Sequence, residues 1–130
     1  MEHAIHFAPV LYVRDVAAAS LFYQAVFKVA EVRRWLNEDG GVHVAELQLQ
    51  ERLFHLHEEV PRSQEVSPHT LGGTPVVLGL FVTDPHSVQA RAIAGGATET
   101  HPVQDYEYGF RQGSFTDPFG HHWVVQEKLD

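Results

Sequence analysis

The 130-residue chain predicts an α+β fold made of two βαβββ modules in tandem, and three observations carry that reading. First, Leu11-Tyr12-Val13-Arg14-Asp15 recurs 69 positions later as Leu80-Phe81-Val82-Thr83-Asp84. Each copy alternates as a strand does and ends on an aspartate suited to capping a helix. Second, each copy runs directly into a stretch with helical periodicity. Third, each helical stretch is followed by short β-rich segments separated by turn residues. Two copies at one long period indicate duplication, because a solenoid needs more and shorter repeats.

After Asp15, VAAASLFYQAVF puts Leu21, Phe22, Ala25 and Val26 on one helical face. After Asp84, a proline at the first helical position leads into HSVQARAIAGG, with Val88, Ala92 and Ile93 on a face and Gly95-Gly96 as the stop. First-module strands are expected over Glu31–Trp35, Val42–Leu49 and Leu53–Glu58, with a turn at Asn37–Gly41. Second-module strands are expected over Thr98–Val103, Gly113–Phe115 and His122–Glu127. The Pro- and Ser-rich stretch 61–74 reads as a linker, giving modules at 1–60 and 75–130 within one structural domain.

The segment DPFGHHW, residues 117–123, combines Asp117, Pro118 and Gly120 in the pattern of a type I turn running into a strand. Strand geometry points His121 and His122 to opposite faces, so they cannot hold one ion together. Cysteine is absent, which excludes disulfides and thiolate chemistry. A net charge of −8 argues against phosphate-mediated nucleic-acid binding and favours cationic ligands. MEHAIHFAPVLYVRD has no basic lead ahead of an apolar run, and 18 uninterrupted apolar residues occur nowhere, so a soluble, cytoplasmic protein without membrane partners is expected.

The two modules, the L-x-V-x-D openings, FYQAVF, AGGAT and DPFGHHW together resemble the vicinal oxygen chelate superfamily, which includes glyoxalase I, extradiol dioxygenases and bleomycin-resistance proteins. GGTPVVLGLFVTDP and DYEYGFRQGSFTDPFGHHW are most similar to its small PhnB-like branch. The resemblance implies a cupped mixed sheet closed around a cavity, usually in a homodimer with strands paired between copies. It also implies a divalent metal in the cavity, held by histidine or glutamine on the first strand of each module and glutamate on the last. The matching positions here are Ala8, Val77, Val124 and, with Gln50 aligned to the turn glycine, Phe54, none of which can bind a metal. A shift of one residue places His55 there instead. His55 and His57 share a strand face, and His6 or His43 can join them in a displaced site.

An apolar cavity with placed aromatic groups suits a small aromatic ligand. Trp35, Phe54, Tyr106, Tyr108, Phe110, Arg111 and Trp123 are the candidate ligand-binding residues, with Tyr106–Gln112 read as a loop. The resemblance to drug-binding members assigns the stacking role to Tyr108. Arg111 can grip a ligand carboxylate or pair with Glu107 or Asp105. Catalytic residues are not selected: Glu46, Glu107 and His43 are possible bases, and Ser114 with His121 or His122 forms no motif. The leading expectation is a homodimer without a cofactor that sequesters an aromatic, cationic antibiotic or metabolite. The alternative is a glyoxalase-like lyase, isomerase or dioxygenase using a displaced divalent metal.

Overall fold

Asp15 and Asp84 both cap helices, as the repeat predicts. In the computed structural model, which describes residues 5–130, the Asp15 carboxylate accepts from the Ala18 amide at 3.0 Å and Asp84 from the Ser87 amide at 3.2 Å. The helices they start are α1 (Val16–Phe27) and α3 (Pro85–Ala94), with a one-turn α2 (Pro68–Leu71) between them. α1 ends at Lys28, whose left-handed backbone lets its amide close on the Gln24 carbonyl.

The strands are β1 (Val10–Val13), β2 (Ala30–Leu36), β3 (Val42–Leu49), β4 (Arg52–Glu58), β5 (Val77–Phe81), β6 (Thr98–Asp105), β7 (Phe110–Thr116) and β8 (His122–Lys128). They form two four-stranded mixed sheets in the orders β1-β4-β3-β2 and β5-β8-β7-β6. In each, the strand before the helix pairs in parallel with the module's last strand: Val10 lies opposite His55 and Gly79 opposite Val124, both positions displaced by 69. β1 and β5 have no partner on their outer edges among the described residues, so one chain carries two separate half-sheets.

α1 packs on the first sheet, α3 on the second, and the two helices on each other. Tyr23 and Phe27 of α1 reach across to Trp123, with ring centroids at 5.5 and 4.7 Å, so both modules share one core. The predicted helix faces need correction. Leu21 is 69% exposed and Ala25 also faces solvent, whereas Val16, Ala19, Phe22, Tyr23 and Val26 are buried. Ile93 is likewise partly exposed, and Gln89 takes a buried place beside Val88 and Ala92. α1 is apolar nearly all round, so its periodicity cannot choose a face; contact with two layers does.

The expected loop over Tyr106–Gln112 is also corrected. Only its first part turns, closed by the Gly109 amide on the Tyr106 carbonyl at 3.0 Å, and Phe110–Gln112 belong to β7. Gly109 has φ of +92°, a conformation costly for other residues. The polar 61–74 segment is ordered by its own contacts, with a 3-10 turn at Pro61–Ser63 and α2.

That segment is pinned by Glu59, whose carboxylate accepts from the Ser67 amide at 2.9 Å and the Thr70 hydroxyl at 2.8 Å, with Arg14 at 3.4 Å. The Ser67 amide is the main reason the Glu59 carboxyl is lowered from 4.5 to about 2. A carboxyl depressed on folding contributes stability that is complete above pH 4.5 and lost as pH falls through about 2. Urea midpoints measured across this range are expected to fall less steeply for Glu59→Gln than for the parent chain.

Candidate ligand-binding site

Strand alternation sorts the candidate residues onto two sides of each sheet. On the helix side lie Phe54 and Leu56 of β4 and Trp123 and Val125 of β8, all buried. Their alternates His55, His57, Val124 and Gln126 face away from the helices, toward a side of each sheet that no helix covers among the described residues. Neighbouring strands add Tyr12, Arg33, Trp35 and Glu46 to the first open face, and Phe81, Phe110, Gln112 and Ser114 to the second.

The second open face carries the densest aromatic group. Tyr106 and Tyr108, presented by the β6–β7 turn, stack with centroids 5.2 Å apart and planes 15° from parallel. Phe110 continues the row at 5.9 Å from Tyr108 and 6.0 Å from Phe81. Tyr108 is 61% exposed, so its ring is oriented without being buried. Its hydroxyl donates to Gln112 Oε1 at 2.5 Å, and Gln104 donates to the Tyr106 hydroxyl at 2.8 Å. Beside the pair is a hollow of about 240 Å³ bordered by His101, Gln112, Ser114 and Val124. Its polar lining includes the Ser114 hydroxyl, 2.6 Å from the Thr100 hydroxyl and 2.9 Å from His101 Nδ1. His101 is thus the histidine beside Ser114, where sequence offered His121 or His122. A cross-strand register makes that pair, and no local motif announces it.

Arg111 does not join this group. It pairs with Asp105 at 2.7 Å and with Glu127 at 3.3 Å, and Asp105 holds its guanidinium above the ordinary value. His121 and His122 also part: His121 Nε2 donates to the Tyr12 carbonyl at 2.9 Å, while His122 Nδ1 meets the Thr116 hydroxyl at 2.8 Å.

On the first open face, Trp35 is 39% exposed with the Arg33 guanidinium 4.8 Å from its ring centre. Glu46 accepts from His55 at 2.9 Å. The His55 and His57 rings lie 6.2 Å apart, with His43 at 6.4 Å from His57 but tied to Glu58 at 3.2 Å. Burial, then the neighbouring His55 and His43, lowers the pKa of His57, favouring its neutral form. His6 lies in the exposed segment before β1. Among the described residues, no three histidine, aspartate or glutamate side chains converge as metal ligands.

Phe54 and Trp123 meet other partners on the helix side. They border a second hollow of about 320 Å³ between the sheets, together with Phe27, Leu49, Leu78 and Leu80. Beside it, Asp117 of the DPFG turn is buried and fully engaged. Its carboxylate accepts from the Tyr23 hydroxyl, from Trp123 Nε1 at 2.8 Å, and from the Phe119 and His121 amides at 2.9 and 3.0 Å. Burial and the facing carboxylate push the Tyr23 phenol well above its ordinary value. Sequence identified Asp117 as a turn residue; the 94-residue separation from Tyr23 hid its second role.

Residues 3–125 match the family model described as the glyoxalase/bleomycin resistance protein/dioxygenase superfamily. The chain belongs to that superfamily. An uncharacterized protein from Mycobacterium tuberculosis is 38% identical over 125 residues, 94% of this chain and 74% of that protein. A gene product of Arabidopsis thaliana has a similar structure, with TM-score 0.73 and 28% identity over 96% of this chain and 100% of that one. TioX from Micromonospora sp. ML1 shares the fold, with TM-score 0.75 and 24% identity over 97% of this chain and 100% of its own.

The superfamily's metal positions can now be placed by register. Since Val10 pairs with His55 as Gly79 pairs with Val124, the first-module counterpart of Val124 is His55, and Phe54 is instead the counterpart of the buried Trp123. The alignment through Phe54 is corrected by that one residue. The four positions are then Ala8, His55, Val77 and Val124, with a single donor that is already bonded to Glu46. This set does not fit the superfamily's metal.

Proposed function

We propose that this member of the superfamily binds a planar aromatic, cationic small molecule without a metal, in the manner of the bleomycin-resistance and PhnB-like branch. The observation that carries the reading is the Tyr106–Tyr108 stack, with Tyr108 exposed, beside a hollow whose apolar border includes Val124. An added ring gains about 0.5–1.5 kcal/mol per stack beyond area burial. The net charge of −8 steers a cationic ligand toward the protein.

The complete cavity belongs to a homodimer. Each sheet exposes large apolar side chains on its open face, among them Val10, Trp35, Val77, Phe81 and Tyr108, and β1 and β5 leave backbone edges for pairing. Pairing β1 of one copy with β5 of the other removes these edges and makes the first open face of one copy continuous with the second open face of its partner. Binding is the whole mechanism: in the cytoplasm, sequestration lowers the unbound concentration of an antibiotic or metabolite.

Ethidium titration tests the reading, using a flat cation with its own fluorescence. Saturable binding is expected, weakened about two- to tenfold in Tyr108→Ala. Sedimentation equilibrium is expected to give twice the 14.6 kDa chain mass. Nonsaturable binding, or equal affinity in Tyr108→Ala, removes the support for this site. Stoichiometric metal in the purified protein, lost on replacing His55 and His57, establishes the glyoxalase-like alternative instead.

A further inference from the structure

The hollow between the sheets is separate from the aromatic site. Phe54 and Trp123 border it, and they alternate along β4 and β8 with His55 and Val124 of the open faces. Its inner wall is formed by Phe27, Leu49, Phe54, Leu78 and Trp123, which offer water almost no hydrogen-bonding partner. Clefts lined in this way favour apolar groups over water. At about 30 Å³ per non-hydrogen atom, the share of one water in the liquid, 320 Å³ holds on the order of ten such atoms.

Among the described residues, one charged side chain lines the hollow. Arg52, the exposed first residue of β4, stands at its rim. Arg14, Arg34, Arg91 and Arg111 are each held by a hydroxyl, a carboxylate or a backbone carbonyl. Among the described residues, none pairs with the Arg52 guanidinium in an ion bridge. A planar fork of donors beside an apolar hollow matches a carboxylate joined to a hydrocarbon chain. We infer that the hollow binds a medium-chain monocarboxylate, with its chain between the sheets and its carboxylate on Arg52. The overall negative charge does not oppose this at contact range, since fields from distant surface charges are screened within about 8–10 Å.

The experiment uses Trp35→Phe protein, in which Trp123 in the wall is the only tryptophan, titrated with hexanoate, octanoate, dodecanoate and octan-1-ol. A saturable change in emission at one molecule per chain is expected. Affinity rises about fourfold per methylene from hexanoate to octanoate and stops rising before dodecanoate, which exceeds the volume. Adding Arg52→Gln at this exposed position is expected to weaken octanoate at least tenfold and to leave octan-1-ol unchanged. The inference is overturned by unsaturable emission, by a gain that continues through dodecanoate, or by equal losses for acid and alcohol. Octanoate binding that survives Tyr108→Ala while ethidium binding falls keeps this site distinct from the aromatic one.

Discussion

Asp117→Ala is expected to lower the unfolding free energy by about 3 kcal/mol or more, since each buried donor left without a partner costs about 1–3 kcal/mol. The Tyr23 hydroxyl and Trp123 Nε1 both lose their acceptor inside the core, and the turn loses its bonds to the Phe119 and His121 amides. Tyr23→Phe removes one donor with its hydrogen and is expected to cost only about 1 kcal/mol. Combining the two changes should cost less than their sum, because the first removes the reason for part of the second. Urea denaturation of the four proteins checks this. Additive losses would mean that Tyr23 and Asp117 are not coupled, and would remove the link between the DPFG turn and α1.

The two tryptophans provide the second large effect. Trp123→Ala is expected to destabilise the protein by about 3–5 kcal/mol, the usual cost of emptying an aromatic core site. Trp123 is 4% exposed, packs on Tyr23 and Phe27, and donates to Asp117. Trp35→Ala is expected to cost under about 1 kcal/mol, as a partly exposed strand residue does, and to affect ethidium binding instead. Thermal unfolding of the two variants, followed by titration of the folded one, separates these roles. Equal destabilisation would mean that the open face of the first sheet is not open.

Much of the fold was legible from residues near each other in the chain. Asp15 and Asp84 announce helix starts because capping acts across three residues, and both caps are present. The β6–β7 hairpin was only partly legible. Tyr106, Tyr108 and Phe110 look like loop residues when read for turn content, yet Gly109 completes the turn and Phe110 already pairs with Lys128. Of the candidate site, Tyr106, Tyr108 and Phe110 lie together on one open face, and Trp35 lies on the other. Arg111 is held by Asp105 and Glu127, an outcome decided by which strand neighbours it meets.

The sequence by itself determined the duplication, the order of the elements, the caps and the DPFG turn, because short-range backbone geometry and period-two alternation specify them. It also determined that Phe54 and His55 face opposite ways. Only the tertiary structure decided which of them faces the helices and which the open side, and so where Trp123 and Asp117 meet Tyr23. Alternation defines two faces without labelling either, and the label comes from packing partners dozens of residues away.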